Sequence, residues 1–551
     1  MTKNKRDEHR KKTISGEQRL LRESEIRNGE FVRYYGKENE IIIPDSVSVI
    51  AENAFRGNKR LTRIVLGKNV SVIRRGAFYG CSALQAVALP SGLYEIGDEA
   101  FGECQSLVTL SLPRTVNKLG AGVFRGCISL CRVDLPAELV AIGEYSFYGC
   151  EKLQEIKLPE VLTEIPRSAF FGCQSLEMLE IPQSVRSIGK YAFAQCRRLR
   201  ILEMPPELTY LGIGVMSDCV SLERFSVPSG VNFIGDYFFA GCASLEQVEL
   251  SDHIHFIGRD AFLGCKSLRQ IHLPESVYSI GYSAFFGCES LAEITVPAQV
   301  REIGKRAFSC CASLASVELA TAQLSVLGEE TFAYCTSLSK IVLPDCIERI
   351  GERAFFQCTA LESVHVPRML RELEDCAFEG CASLLTVSLP VMLRRIGDGA
   401  FRGCAALTTA ILPDHKVRVG SQIFADCDAL TVLVLSDSVH GVRRKCEKWY
   451  VPRTANTILH SELKLALLFS ELAKKDTDSE RKLSLRAETY RLIKRLKKRN
   501  RLRSAKSIRE NINFAAQAIE EQLNPTVESP ESESMPEEPT ETSEQPAGEE
   551  I

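Results

Sequence analysis

The stretch IGDEAFGECQSLVTLSLP, from Ile96 to Pro113, decides how the 551-residue chain is read, because close copies of it recur along most of the length. Stepping by 23 around Phe101 lands on Phe55, Phe78, Phe124, Phe147, Phe170, Phe193, Met216, Phe239, Phe262, Phe285 and Phe308. One step of 24 reaches Phe332, and steps of 23 resume through Phe355, Phe378, Phe401 and Phe424, which makes 17 units. Six residues after each of these positions stands a Leu, from Leu61 to Leu430, and five before it an aliphatic, from Ile50 to Val419.

Within SLVTLSLP the apolar Leu107, Leu110 and Leu112 lead to Pro113, and the last pair alternates as a strand requires. Proline has no N–H to give a ladder, so it ends the strand, and it holds this place in 13 of the 17 units. The IG before each Phe carries Gly in 13 units, as a tight corner would, and the piece DEAFGEC reads as one short helical turn. A unit of 23 residues is too small to bury its own Leu, Ile and Phe, whereas stacked copies set each apolar row against the next. The repeat therefore predicts one α/β repeat solenoid rather than several globules. At roughly 4.8 Å per parallel strand, its coils would extend over about 80 Å. Hydrophobic content of 45% and charged content of 25% are those of an ordinary protein with ample core material, and the net charge is -3.

The nearly complete unit LRQIHLPESVYSIGYSAFFGC, Leu268 to Cys288, resembles the BspA-like class of bacterial leucine-rich repeats, and the match runs over roughly residues 31–440. The resemblance implies a right-handed solenoid with a strand-lined concave face. It also implies protein-binding or adhesive roles, often at a cell surface. Residues 1–30 are charged throughout, with no apolar run to serve as a signal-peptide core, and the most apolar late stretch, Leu463 to Ala473, is too short to span a bilayer. These features predict a cytoplasmic protein with no membrane span.

Three residues after the Phe, Cys occurs in 16 of 17 units: Cys81, Cys104, Cys127, Cys150, Cys173, Cys196, Cys219, Cys242, Cys265, Cys288, Cys311, Cys335, Cys358, Cys381, Cys404 and Cys427, with Asn58 in the first. Asn and Cys share small size and the ability to donate a hydrogen bond. The exchange predicts a structural ladder in which each side chain donates to a neighbouring backbone carbonyl. Disulfides fit poorly, because stacked Cβ atoms about 4.8 Å apart lie outside the usual 3.5–4.5 Å range. Zinc needs converging ligands, and a row does not converge. A catalytic thiol is a single exposed group with a base, which sixteen equivalent buried thiols are not. The other five, Cys131, Cys310, Cys346, Cys376 and Cys446, sit at unrelated phases and read as incidental.

Residues two and four after each unit's Leu are predicted to line the concave face. No aromatic stripe runs through them, but Glu155, Glu180, Glu203, Glu249, Glu293 and Glu318 form an acidic row, accompanied by Arg132, Lys157, Arg224 and His272. These ten are the candidate protein-binding residues. His253, His255 and His272 lack a convergent carboxylate or thiol and read as surface histidines. No phosphate loop, nucleophile elbow or HExxH motif occurs, and no cofactor is expected.

The expected organisation is a charged segment over 1–30, partly disordered or helical, and a hairpin cap and coil entry over 31–54, turning at Gly36 to Asn39. The repeats follow over 55–440, with a closing cap over 441–454 containing Trp449. Residues 455–523 show helical spacing. Between Arg481 and Arg509 stand 13 Lys or Arg against one acid, including Arg491, Lys494, Arg495, Lys497, Lys498, Arg499, Arg501 and Arg503. Such a segment suits an acidic partner or nucleic acid. Residues 524–551, with nine Glu and no base, read as a disordered acidic tail. The favoured function is a non-catalytic scaffold that binds a protein partner. The alternatives are a nucleic-acid-associated protein acting through the basic helices and a surface adhesin exported by another route.

Overall fold

A computed structural model describes residues 20, 22–319, 322–437, 442–453 and 455–460, together with 464, 488, 491 and 492. It divides into two compact units, Met1–Thr457 and Ile458–Ile551. Of the second unit few residues are described. Lys464 and Glu488 form an ion pair there at 2.8 Å, and Arg491 is helical and exposed, whereas the rest of the basic segment and the acidic tail lie outside the described residues.

The first unit is a stack of coils in parallel register. Strands β1 (Ser24–Arg27), β2 (Glu30–Tyr34), β3 (Glu40–Ile42), β4 (Val49–Ile50) and β5 (Arg63–Val65) open the series and set its plan. β3 pairs in parallel with β5, Glu40 opposite Arg63, and the same 23-residue offset recurs up to Thr409 opposite Val432. This first ladder is the strand read from the Leu spacing. Its alternation is direct: in Thr109–Ser111 and most of its counterparts the outer residues are exposed and the middle one buried. One step is 24, Ser316 opposite Lys340 and Val317 opposite Ile341, and the faces are kept because the additional residue falls outside the paired strands.

A second parallel ladder, absent from the sequence reading, uses the aliphatic before the Gly. β2 pairs with β4, β4 with Val72–Ile73, and the row continues to Arg418–Val419. Past β2 each of these strands is two residues long, an aliphatic, buried except at Val419, preceded by a more exposed residue.

The segment around the Phe is not a helical turn, contrary to the sequence-based expectation; almost no helix is present in the coils. Among the described residues each of the 17 coils has left-handed backbone at two places, two before and two after the Phe position, as at Glu99 (φ 52) and Glu103 (φ 56). The amides consequently alternate. Ala100, Gly102 and Cys104 donate within the coil, to Gly97, Glu99 and Phe101, while Glu99, Phe101 and Glu103 donate to Ala121, Val123 and Arg125 of the next coil. A helix would turn every N–H inward and leave none to join coils. Left-handed backbone costs about 1–2 kcal/mol at a residue with a side chain, and Gly holds the position after the Phe in ten coils, among them Gly126, Gly149 and Gly172.

The Gly of the IG pair has another role than the corner assigned to it. Gly97 is not left-handed, but a Cβ there would lie 2.8 Å from Arg75 N, and one on Gly143 would lie 2.3 Å from Gly120 O. Close approach of coils, rather than backbone freedom, selects Gly here. Replacing Gly143 by valine is expected to force the coils apart and to cost about 1–3 kcal/mol; an unchanged urea midpoint would contradict that.

The core is a pile of rings. Phe78 and Phe101 stack at 5.2 Å with planes 2° apart, Phe262 and Phe285 at 4.9 Å and 5°, and the pile runs from Phe31 to Phe193 and again from Phe239 to Phe424. Met216 interrupts it, and beyond it Phe225 and Phe238 pack edge-on against Phe239.

Both ends are covered. At the start, β1 pairs antiparallel with β2 through a turn at Asn28 and Gly29, whose φ values of 48° and 79° suit a hairpin. The hairpin thus occupies 24–34, not the Phe31–Pro44 segment read from the sequence, and residues 24–30, assigned to a charged leader, are part of it. At the far end, helix α1 (Val442–Trp449) lies where the next coil would be. Its last carbonyls, which have no partner inside a helix, accept the amides of the final coil: Gln422 N to Lys448 O and Phe424 N to Trp449 O, both 3.0 Å.

Candidate binding surface

Every repeat cysteine has the same environment. Cys104 Sγ donates to Phe78 O at 3.2 Å, Cys288 Sγ to Phe262 O at 3.3 Å, and Cys427 Sγ to Phe401 O at 3.0 Å; each of the sixteen reaches the ring residue of the coil before it, Met216 for Cys242. The same carbonyl accepts the Cys amide of its own coil, as Phe101 O does from Cys104 N and Cys127 Sγ, so both lone pairs are used. Asn58 departs from this. Its Oδ1 accepts from Arg60 N and Leu61 N, and Phe31 O in the preceding turn already receives Ala51 N. Asn58 thus caps its own turn and accepts where the cysteines donate.

Burial pushes the fifteen repeat thiols from Cys81 to Cys404 up, to about 12 at Cys81, Cys127, Cys196 and Cys358, so almost none of these is thiolate near neutral pH. Cys346 is exposed, and Cys131, Cys310, Cys376 and Cys446 are half-buried, with burial also raising Cys376 to about 12. Brief iodoacetamide treatment of native protein should therefore label Cys346 first and spare the sixteen repeat cysteines, while urea should expose all 21. Peptide mass spectrometry reads the pattern, and early labelling of Cys173 or Cys265 would contradict it.

On the first ladder, Arg132, Glu155, Lys157, Glu180, Glu203, Arg224, Glu249, His272, Glu293 and Glu318 are all exposed. Arg132 Nε is bonded to Asp134 Oδ1 across one strand at 2.9 Å. Beside this row Arg200 clasps Glu223 with two nitrogens, at 3.0 and 2.7 Å, and Arg198 pairs with Glu177 at 3.2 Å. The face changes near the C-terminal end of the stack, where Thr409, Val432 and Val434 are buried. His253, His255 and His272 bear no resolved cluster: among the described residues no three His, Cys, Asp or Glu side chains are grouped to hold a metal.

A family model for BspA type leucine-rich repeat regions matches residues 24–139, 121–246, 232–330 and 325–447. The chain belongs to the BspA type leucine-rich repeat family. Among solved structures of similar proteins, a leucine-rich repeat protein of Bacteroides ovatus is 25% identical, covering 78% of this chain and 94% of its own, with a TM-score of 0.46. The T. pallidum leucine-rich repeat protein is 35% identical over 31% of this chain and 82% of its own, with a TM-score of 0.30. A leucine-rich cell surface protein of Faecalibacterium prausnitzii is 21% identical, covering 78% and 94%, with a TM-score of 0.33. No curated protein matches the chain. Among the described residues no helix is long and apolar enough to cross a membrane.

This BspA type repeat also carries a feature that sequence reading missed, a row of cation–aromatic contacts on the turns. Arg56 lies 4.2 Å from the Tyr79 ring centre, Arg125 5.3 Å from Tyr148, and Tyr148 stacks on Phe171 at 4.7 Å. The partners stand 23 residues apart, so only alignment of the units at that offset would reveal them. Contacts of this kind contribute about 0.5–1 kcal/mol each when exposed and fasten neighbouring turns.

Proposed function

We propose that the protein is a non-catalytic scaffold whose first-ladder face docks a protein partner. Its family supplies the leucine-rich repeat frame, commonly a protein-binding one. The observation that carries the reading is the face itself, a two-residue-wide exposed row in which six carboxylates, from Glu155 to Glu318, stand on six of the coils at one or other outward position. A fixed array of side chains at about 4.8 Å intervals is a surface that a partner can match in register. The proposal includes a reducing compartment, supported by thiols that are bonded to carbonyls instead of to each other.

The test places a photoreactive benzophenone amino acid at Glu249 or His272 on this face, and at Tyr278, exposed on the second-ladder side. Irradiation of cells making each variant should give an adduct of one discrete mass from Glu249 and His272 and none from Tyr278. Adducts absent from the first-ladder face, or equal from both, would refute the reading.

A further inference from the structure

Two large apolar side chains interrupt the polar first-ladder face side by side. Met178 is 74% exposed and Ile201 46%, and they are direct parallel partners in an isolated bridge. These two coils are also where the ladder thins: Glu155–Ile156 precedes them and Arg224–Ser226 follows, with that one bridge between. Two residues beyond the apolar pair on the same strands stand Glu180 and Glu203, both exposed. Among the described residues neither has an ion-pair partner, although the nearby Glu177 and Glu223 are held by Arg198 and Arg200. Glu155 borders Met178 on the preceding coil, where Lys157 stands beside Glu180, and Arg224 borders Ile201 on the following one.

We infer that Met178 and Ile201 anchor a cationic peptide segment that carries a large apolar side chain, with Glu180, Glu203 and Glu155 receiving its basic residues. The inference rests on the proposed docking role of this face and names its partner class. An apolar centre within a charged rim is how binding energy and orientation are commonly divided at interfaces. Here the rim selects the sign. Glu180 and Glu203, in no ion pair among the described residues, attract Lys or Arg and repel phosphate, which disfavours nucleic acid and anionic lipid at this patch. A wholly polar cation would leave the Met178 and Ile201 side chains in water and gain only the screened ionic part.

The probe is a fluorescein-labelled synthetic peptide with two central leucines between flanking lysines, titrated with the full chain by anisotropy. A second peptide replaces leucine by glycine, and a third replaces lysine by glutamate. Only the first should bind well, with at least ~10-fold weaker affinity for the others. Met178→Ser with Ile201→Ser, and separately Glu180→Lys with Glu203→Lys, should each weaken it at least ~10-fold with the melting curve unchanged. Glu293→Lys with Glu318→Lys, farther along the face, should have little effect. No binding of the leucine–lysine peptide, or equal loss from the distant pair, overturns the anchor. Crosslinks from Glu249 or His272 that persist in that event would leave the broader docking role standing.

Discussion

Replacing Phe285 by alanine is expected to lower the unfolding free energy by about 3–5 kcal/mol. Phe285 is fully buried and stacks on Phe262 at 4.9 Å and on Phe308 at 5.3 Å, both nearly parallel, so one deletion removes two ring contacts and leaves a gap in mid-pile. Its backbone bonds survive truncation: Phe285 N still reaches Ala307 O, and Phe285 O still accepts Cys288 N and Cys311 Sγ. The cost is therefore one of packing. Phe285→Met supplies the control, since a side chain of similar reach should cost less than about 1.5 kcal/mol, and Met216 already occupies the equivalent position in another coil. The Met216 coil recovers ring contact through Phe225 and Phe238, which coil 285 lacks, so methionine there should not be neutral. Urea denaturation monitored by circular dichroism measures both variants. An alanine variant no weaker than the methionine one would show that the ring pile is not what holds the coils.

The Phe, Leu and Cys rows were legible because each recurs at one phase, and the 23-residue step makes parallel stacking the only arrangement that buries all three. The second ladder was not legible, because Glu95–Ile96 and its equivalents are two residues long and too short to show alternation. Nor was the turn geometry. DEAFGEC contains good helix formers, but Glu99 and Glu103 are left-handed because alternate amides must reach the next coil, a demand set by the neighbour and not by local propensity. The N-terminal hairpin was legible and misplaced. Asn28-Gly29 is the stronger turn signal, and Gly36 drew the reading eight residues too far along. Chemistry at the surface follows neither period: the spacing already sets Met178 and Ile201 on the strand face, two after their Leu, but their exposure and their direct pairing are read only from the fold.

The second large effect is expected at the other end of the stack, from Trp449→Ala. Trp449 is 4% exposed, at the last turn of α1, and its carbonyl receives the amide of Phe424. The indole has to be docked for α1 to hold that position, because an eight-residue helix is too short to persist alone in water. Removing a buried indole costs about 3–5 kcal/mol. In a repeat array that loss acts on nearest neighbours first, since each coil contacts only the coils beside it. The final coil should fray before the whole unfolds. Amides of Gln422 and Phe424 should exchange with deuterium at least ~100-fold faster, whereas that of Phe285, six coils inward, should be unchanged. Uniform acceleration along the array would mean that the stack unfolds as one cooperative body; unchanged exchange at Phe424 would mean that α1 is not its cap.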